Sequence, residues 1–253
     1  MDKKGLSTRI SVRASGYNPV VVCLSGGVDS ALVASAAHDV LGNRVMAVTV
    51  HSELIADRDF TRAVEIAEHI GIEHHPLLVR ALDDEFVCQN TEDRCYHCKK
   101  GIFRLMALEY GDACVILDGT NADDDPSRPG LCAVREFGVY SPLLDAGLGK
   151  SEVRTLACAA GLPNWDTPSE SCLATRILAG MPLSKLGLSQ VQDMETFFHL
   201  QGVQTLRASH DNLMATVTYL PEAADIMVKS SDKFAALIER IGLRSYRIKE
   251  WTG

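Results

Sequence analysis

The stretch Val20-Val21-Val22-Cys23-Leu24-Ser25-Gly26-Gly27-Val28-Asp29-Ser30 decides the fold. Residues 20–24 are apolar without a polar break, the pattern of a strand buried on both faces. The next six residues hold two glycines and two serines, and an apolar helical pattern follows over 31–41, stopped by Gly42 and Asn43. A buried strand that turns through glycines into a helix aims free backbone N–H groups and the positive helix end at one point, which binds anions. Gly26 and Gly27 let the backbone approach phosphates closely, and the hydroxyls of Ser25 and Ser30 can donate to them. The Gly-x-x-x-x-Gly-Lys-Ser/Thr pattern is absent, so this is no Walker A loop and is not expected to grip terminal phosphates through a lysine.

Outward from this turn, strand and helix patterns alternate. Residues 44–50 read as a second strand, 57–70 as an amphipathic helix stopped by Gly71, and 75–79 as a third strand. A cysteine-bearing loop, a helix over 99–110, a fourth strand over 114–118 and a short fifth over 139–141 follow. Ser151 is expected to cap a helix ending at Gly161. The turn-rich segment 163–182 separates this part from a helix over 186–200, strands over 203–208 and 214–219, a helix over 222–241 and a strand near Tyr246. The reading is α/β: a parallel-sheet domain over 1–167 and a linker with a smaller α+β domain over 168–253.

The 253 residues, at roughly 150 per domain, make one or two domains. Hydrophobic residues make up 46% and charged residues 23%, values that exclude disorder as the main state. No uncharged apolar run is long enough to span a membrane, and Met1 to Gly5 lacks the apolar block of a signal peptide, so a cytoplasmic protein is expected. The net charge is -8, with 17 basic and 25 acidic side chains in residues 1–179 and 8 of each in 180–253. Neither part carries the broad positive field that a nucleic-acid backbone needs, which disfavours an RNA substrate. Eight cysteines in a reducing compartment are not expected to form structural disulfides; most read as small buried apolar residues, and a clustered few as metal ligands.

Ligands of parallel sheets lie at the carboxyl ends of the strands, which brings Thr49 to Ser52 and Gly119-Thr120-Asn121 to the same pocket as the loop. Arg94-Cys95-Tyr96-His97-Cys98-Lys99-Lys100 holds a Cys-x-x-Cys pair, and Cys172 follows in the linker. Such a pair suits half a zinc site or a redox dithiol. A zinc site needs a fourth ligand, and His97, inside the pair, would be strained as one. Three thiolates fit a [4Fe-4S] cube and leave one iron open for sulfide or substrate. Arg94, Lys99 and Lys100 favour thiolates and an anionic substrate, unless they form only a solvated helix start.

The loop resembles the PP-loop of ATP pyrophosphatases (adenine nucleotide alpha hydrolase-like fold), in which Asp29 would hold magnesium. With Asp118 to Gly130, reading DGTNADDDPSRPG, and Ser141 to Ile177, reading SPLLDAGLGKSEVRTLACAAGLPNWDTPSESCLATRI, the chain resembles the LarE family of ATP-dependent sulfur insertases over about residues 15 to 250. The resemblance implies ATP and Mg2+ at Ser25, Gly26, Gly27, Asp29, Ser30, Thr49, Ser52, Gly119 and Asn121. It implies a carboxylate of pyridinium-3,5-biscarboxylate mononucleotide as acceptor, a sulfide donor, and a homo-oligomer, in nickel-pincer nucleotide biosynthesis. In some members the cysteine matching Cys172 is consumed to dehydroalanine; Cys95 and Cys98 assign this chain to the members that use three cysteines as cluster ligands. Arg176 is expected at a substrate phosphate or carboxylate, and Tyr96, Lys99, Lys100, Arg128 and Arg207 are further substrate candidates. Tyr96 could stack on the pyridinium ring or pack in the core.

The likeness weakens in the last third. The family's Arg-x-Arg keeps only Arg207, with Ser209 in the second place, and an Ala-Arg-Ile-Glu stretch is replaced by Ala215-Thr216-Val217-Thr218. That loss bears on the acceptor's phosphate grip and leaves a related carboxylate open. Two other functions fit parts of the pattern: a PP-loop tRNA thiolase, which needs the basic face that is missing, and a non-catalytic AMP-binding iron-sulfur regulator.

Overall fold

Val20 and Val22 point into one apolar cluster and Val21 into another, so the first strand is covered on both faces. The computed structural model describes residues 2–111 and 113–251. In chain order the elements are α1 (Lys3–Arg13), β1 (Val20–Cys23), α2 (Val28–Leu41), β2 (Val45–His51), α3 (Asp57–Ile70), β3 (Glu73–Leu78), α4 (Glu85–Cys88), α5 (Arg94–Tyr110) and β4 (Val115–Leu117). They continue with α6 (Pro129–Glu136), α7 (Pro142–Asp145), α8 (Lys150–Ala159), α9 (Lys185–His199), β5 (Leu206–His210), β6 (Met214–Tyr219), α10 (Ala224–Lys229), α11 (Ser231–Arg240) and β7 (Ser245–Glu250). The chain divides into two compact units, Met1–Arg80 with Asp93–Glu170, and Ala81–Glu92 with Ser171–Gly253.

In the first unit β3-β2-β1-β4 form a parallel sheet, with Val20 in register with both Val45 and Val115. One face is covered by Leu6 and Ile10 of α1, the alanine-rich face of α2, Ala63, Ile66 and Ala67 of α3, and Val153 and Ala157 of α8. Phe103 and Met106 of α5 and Ala133 and Val134 of α6 cover the other. β2 and β3 lie on one side of β1 and β4 on the other, so the switch in direction, where such sheets bind ligands, falls at the carboxyl end of β1.

The second unit carries a three-stranded sheet, β5-β6-β7, antiparallel between β5 and β6 and parallel between β6 and β7. Its aromatic core packs Phe198 against Phe234 in a tilted pair at 4.7 Å between ring centroids and Phe234 edge-to-face with Tyr246 at 5.0 Å. Segment 81–92 joins this unit through buried Asn90: its Nδ2 donates to the carbonyls of Ile177 and Leu178, and its carbonyl accepts from Gly180 N at 2.9 Å. Asn90 sits at φ 54, a left-handed position that its short polar side chain tolerates. Arg176 and Glu195, each with a side chain 4% exposed, form a salt bridge at 3.0 Å, and Glu195 also accepts from Ala208 N.

Several elements differ from the sequence expectation. The fifth strand over 139–141 is a single bridge from Tyr140 to Leu117. α5 starts at Arg94 rather than 99, so Cys95 and Cys98 stand in its first turns, not in a loop. α2 starts at Val28, which takes Asp29 and Ser30 into the helix. α8 is preceded by Gly149, and Ser151 lies inside it without a capping role. The helix expected over 222–241 breaks into α10 and α11 at Ser230. Helix α1 had no counterpart in the sequence reading. No helix among the described residues is long and apolar enough to cross a membrane.

The cysteines are less buried than expected: six are half-buried, and Cys132 and Cys158 are exposed. Burial first, then the charge of Asp118, pushes the Cys23 thiol up to about 12, and burial pushes Cys114 up to about 11. Reactivity requires the thiolate. Brief alkylation at pH 8 followed by peptide mass mapping is therefore expected to label Cys132 and Cys158 and to spare Cys23 and Cys114. Glu195→Ala would leave the buried Arg176 guanidinium without its counter-charge, and is expected to lower unfolding free energy by about 3–5 kcal/mol in urea titration.

Candidate active site

The loop between β1 and α2 is built by hydrogen bonds among its own residues. Ser30 Oγ accepts from Ser25 N at 3.1 Å, lies 3.1 Å from Ser25 Oγ and donates to Gly27 O at 3.0 Å. Gly26, at φ +80, is held against α3, where an added Cβ would stand 2.7 Å from Asp59 O. On the other side Asn164 Nδ2 donates to Gly26 O at 3.0 Å, while its buried Oδ1 has no hydrogen-bond partner among the described residues. An orphaned buried acceptor beside the loop fits a site completed by a bound donor.

Gly119, after β4, closes the site from the opposite direction: a Cβ there would lie 2.7 Å from Ser30 N, so β4 approaches α2 at backbone distance. The turn it opens is held by Asp118, which accepts from Thr120 N at 3.1 Å, Thr120 Oγ1 at 2.6 Å and Ser141 Oγ at 2.6 Å. Asn121 then donates to Asp29 Oδ1 at 3.2 Å. The second oxygen of Asp29 meets Lys150 Nζ at 2.5 Å. Lys150 was not singled out in the sequence; the signal available was a lysine opening a helix after Gly149, in a stretch 120 residues from the loop.

Thr49 and Ser52 reach this end of the sheet in different ways. Thr49, nearly fully buried, donates its hydroxyl to Leu24 O at 2.7 Å and so ties β2 to the start of the loop. Having used its one proton there, Thr49 Oγ1 accepts from His74 Nε2 at 2.8 Å, which assigns His74 the Nε2–H tautomer. Burial, then neighbouring His75, holds the His74 pKa below the usual imidazole value. Ser52 Oγ accepts from Leu54 N at 3.3 Å and shapes the turn after β2.

Cys95 and Cys98 stand three residues apart on α5, one helical turn, with Arg94 Nη2 3.5 Å from Cys95 Sγ. Gly130 opens α6 against this turn, where a Cβ would meet Lys99 Cδ at 3.3 Å and Cys95 Cβ at 3.7 Å. Lys99 Nζ lies 4.0 Å from Asp118 Oδ2, so the cysteine-bearing turn and the Asp118 turn are neighbours within this unit. Tyr96 donates to Glu136 at 2.7 Å and accepts from Lys100, which pairs with Glu136 at 2.8 Å; these three side chains clamp α5 to α6. Arg128 is exposed and paired with Asp124 at 2.9 Å.

Cys172 belongs to the second unit, in a turn built by Arg176, whose guanidinium donates to Ser171 O at 2.5 Å and Ser171 Oγ at 2.8 Å beside its pair with Glu195. Thr175 closes the same turn with its N and Oγ1 on Cys172 O at 3.0 and 2.9 Å. Arg176 thus bonds to this turn through Nη1 and to Glu195 through Nε and Nη2, and it also borders the cavity that Arg207 lines. Arg207 lines a cavity of about 380 Å³ with Ser209, His210, Thr216 and Arg247. Arg207 also donates to Thr175 O at 2.6 Å, and Arg247 to Thr216 Oγ1 at 2.9 Å. Sequence reading missed Arg247, because only the register of three strands aligns Ser209, Thr216 and Arg247 across the sheet.

Among the described residues no group of three or more His, Cys, Asp or Glu side chains is placed to hold a metal ion. Magnesium needs no such group, since it is commonly held by one or two carboxylates plus the substrate's phosphates, and Asp29 supplies a hard oxygen ligand beside the loop. The thiols of Cys95 and Cys98, beside a guanidinium, have the donor chemistry of iron-sulfur ligands.

A model of the asparagine synthase family matches residues 5–102. The pyridinium-3,5-bisthiocarboxylic acid mononucleotide synthase of Lactiplantibacillus plantarum is 34% identical over 231 residues, covering 89% of this chain and 83% of that protein. An uncharacterized protein of Synechocystis sp. is 34% identical over 206 residues, 80% of this chain and 76% of its own length. The glutamine-dependent NAD(+) synthetase of Aquifex aeolicus is 38% identical over 96 residues, 35% of this chain and 17% of that enzyme. With a parallel sheet that delivers a Ser25–Ser30 phosphate loop and a relative of that identity over most of its length, the chain belongs to the LarE family of PP-loop sulfur insertases.

Proposed function

We propose that the protein uses ATP to adenylylate a carboxylate of pyridinium-3,5-biscarboxylate mononucleotide and replaces a carboxylate oxygen with sulfur, a step in nickel-pincer nucleotide biosynthesis. The observation that carries this reading is the Ser25–Ser30 loop, shaped for a phosphate chain at the carboxyl end of β1, in a chain of this family. A carboxylate is a poor electrophile, because its leaving group would be an oxide. Attack of its oxygen on the α-phosphorus of ATP releases pyrophosphate and forms an acyl adenylate. A sulfur nucleophile then adds to the acyl carbon, and AMP departs with the former carboxylate oxygen.

The chain's residues serve these steps by position. Free N–H groups at the start of α2 and the Ser25 and Ser30 hydroxyls face the charge that develops on departing pyrophosphate. Asn121 orients Asp29, and Thr49 holds the Leu24 carbonyl so that the loop keeps its shape before ATP binds. Magnesium on Asp29 would neutralise phosphate charge, and a [4Fe-4S] cluster held by Cys95, Cys98 and Cys172 would leave one iron open to an added sulfide. Arg94 Nη2 stands 3.5 Å from Cys95 Sγ, and Arg176 shapes the turn of Cys172. Arg207 and Arg247 suit the anionic groups of the acceptor, with Arg247 replacing charge that Ser209, Thr216 and Thr218 do not supply. A cytoplasmic homo-oligomer goes with this reading.

Incubation with the dicarboxylated pyridinium nucleotide, ATP, magnesium and sulfide is expected to give pyrophosphate, AMP and a nucleotide whose mass records one or two oxygen-for-sulfur exchanges. ATP turnover without any sulfur in the nucleotide would overturn the assigned acceptor. Protein purified without oxygen is expected to hold about four irons per chain. Each of Cys95→Ala, Cys98→Ala and Cys172→Ala should lower iron content and sulfur transfer together while sparing pyrophosphate release. Dehydroalanine at position 172, accumulating in step with product, would replace the cluster by a consumed cysteine.

A further inference from the structure

Asn164 is 3% exposed, and among the described residues its side chain makes one hydrogen bond, from Nδ2 to Gly26 O at 3.0 Å, while Oδ1 stays without a partner. A buried amide with an unpaired oxygen costs stability, so packing alone does not account for a polar residue there. What the amide holds is the carbonyl of a single peptide, the one between Gly26 and Gly27. That peptide is trans, so its N–H points the opposite way from its C=O. Gly27 N accordingly lies 3.4 Å from Ser25 Oγ, on the side where the Ser25 and Ser30 hydroxyls meet. We infer that Asn164 is a positioning residue for the phosphate step: by holding the Gly26 carbonyl it keeps Gly27 N–H turned toward the phosphate chain, an assignment that rests on the reading of the loop as an ATP site.

Gly27 shows why that carbonyl needs holding. Its φ is -79, a value open to any residue, and an added Cβ would meet Ser25 Oγ at 3.5 Å, an ordinary contact. Neither space nor this backbone angle calls for glycine. Reversal of the 26–27 peptide, by contrast, carries the φ of residue 27 by about 180° into positive values, which glycine adopts freely. Two consecutive glycines therefore make a peptide that can turn over, and the reversed peptide would present a carbonyl oxygen, not an N–H, to an anion. The Asn164 amide favours the first position, because the Gly26 carbonyl accepts from its Nδ2. The backbone of Asn164 is held without its side chain: Thr167 N donates to Asn164 O at 3.2 Å, and Arg154 donates to Trp165 O at 2.9 Å and Thr167 O at 2.8 Å. The side chain can thus be changed without releasing the turn that carries it.

The test measures binding by isothermal titration calorimetry of inorganic pyrophosphate and a non-hydrolysable ATP analogue, with magnesium, between about pH 5 and pH 9, and circular dichroism checks folding. Asn164→Ala loses the donor and is expected to bind both ligands about tenfold more weakly across the range. Asn164→Asp keeps the shape but turns a carboxylate oxygen on the Gly26 carbonyl, and is expected to bind about 10- to 100-fold more weakly at about pH 8. Burial beside a carbonyl raises the pKa of that new carboxyl, so on acidification it takes a proton that it can donate to Gly26 O, and affinity is expected to return to within about threefold of the unaltered protein by about pH 5. Asp29, Asp59 and pyrophosphate titrate in every protein compared and cancel in the ratio of variant to unaltered affinity. A merely structural amide would lower stability without this recovery. Unchanged affinity in Asn164→Ala, or an Asn164→Asp protein that is as tight as the unaltered one or as weak as Asn164→Ala at every pH, would overturn the role of Asn164 and leave the ATP site standing. If the unaltered protein binds neither ligand, the ATP site falls and the assignment with it.

Discussion

Between the exit of β4 and the first turn of α2 there is no room for a side chain: a Cβ on Gly119 would meet Ser30 N at 2.7 Å. That approach, with the matching one of Gly26 on α3, presses three backbone segments together at the carboxyl end of β1. A helix start at such a turn carries backbone N–H groups that no carbonyl of its own helix accepts, the general setting of anion sites. The rest of the first unit maintains this approach. Helices cover both faces of the sheet, so that β1 and β4 stay in register through Val20 and Val115.

Carboxylates carry the organisation outward from that contact. Asp118 gathers Thr120 and Ser141, Asp124 accepts from Asn121 N, and Asp123 takes the backbone of Lys150. Each one holds a backbone or side-chain donor that would otherwise leave a turn unfixed. Their combined effect is to bring Asn121 and Lys150 onto Asp29 from two directions. Asp123 and Asp124, in the acidic run at 123–125, are thereby part of the framework of the site.

In the second unit a buried ion pair does comparable work. Arg176 and Glu195 are nearly free of solvent, and their mutual attraction offsets desolvation only because Ser171 and Ala208 also bond to the pair. The reward is geometric: one guanidinium fixes the turn that carries Cys172 and joins it to α9 and β5.

The sequence by itself determined the class of the fold and the place of the loop within it. An unbroken apolar strand, a glycine turn and a helix have one common outcome, and each signal lies within a dozen residues. The cysteines at 95, 98 and 172 were equally legible as residue types, whereas their setting was not: α5 starts before Cys95 because tertiary packing against α6, with Tyr96, Lys100 and Glu136 as its clamp, extends the helix beyond its local pattern. Only tertiary structure decided that segment 81–92 packs with the second unit, that Arg247 lines up with Thr216 and Ser209, and that Lys150 stands on Asp29. These are contacts between residues 31 to 121 positions apart or between strands whose register no local pattern encodes, and they exist because packing, not spacing, brings their side chains together.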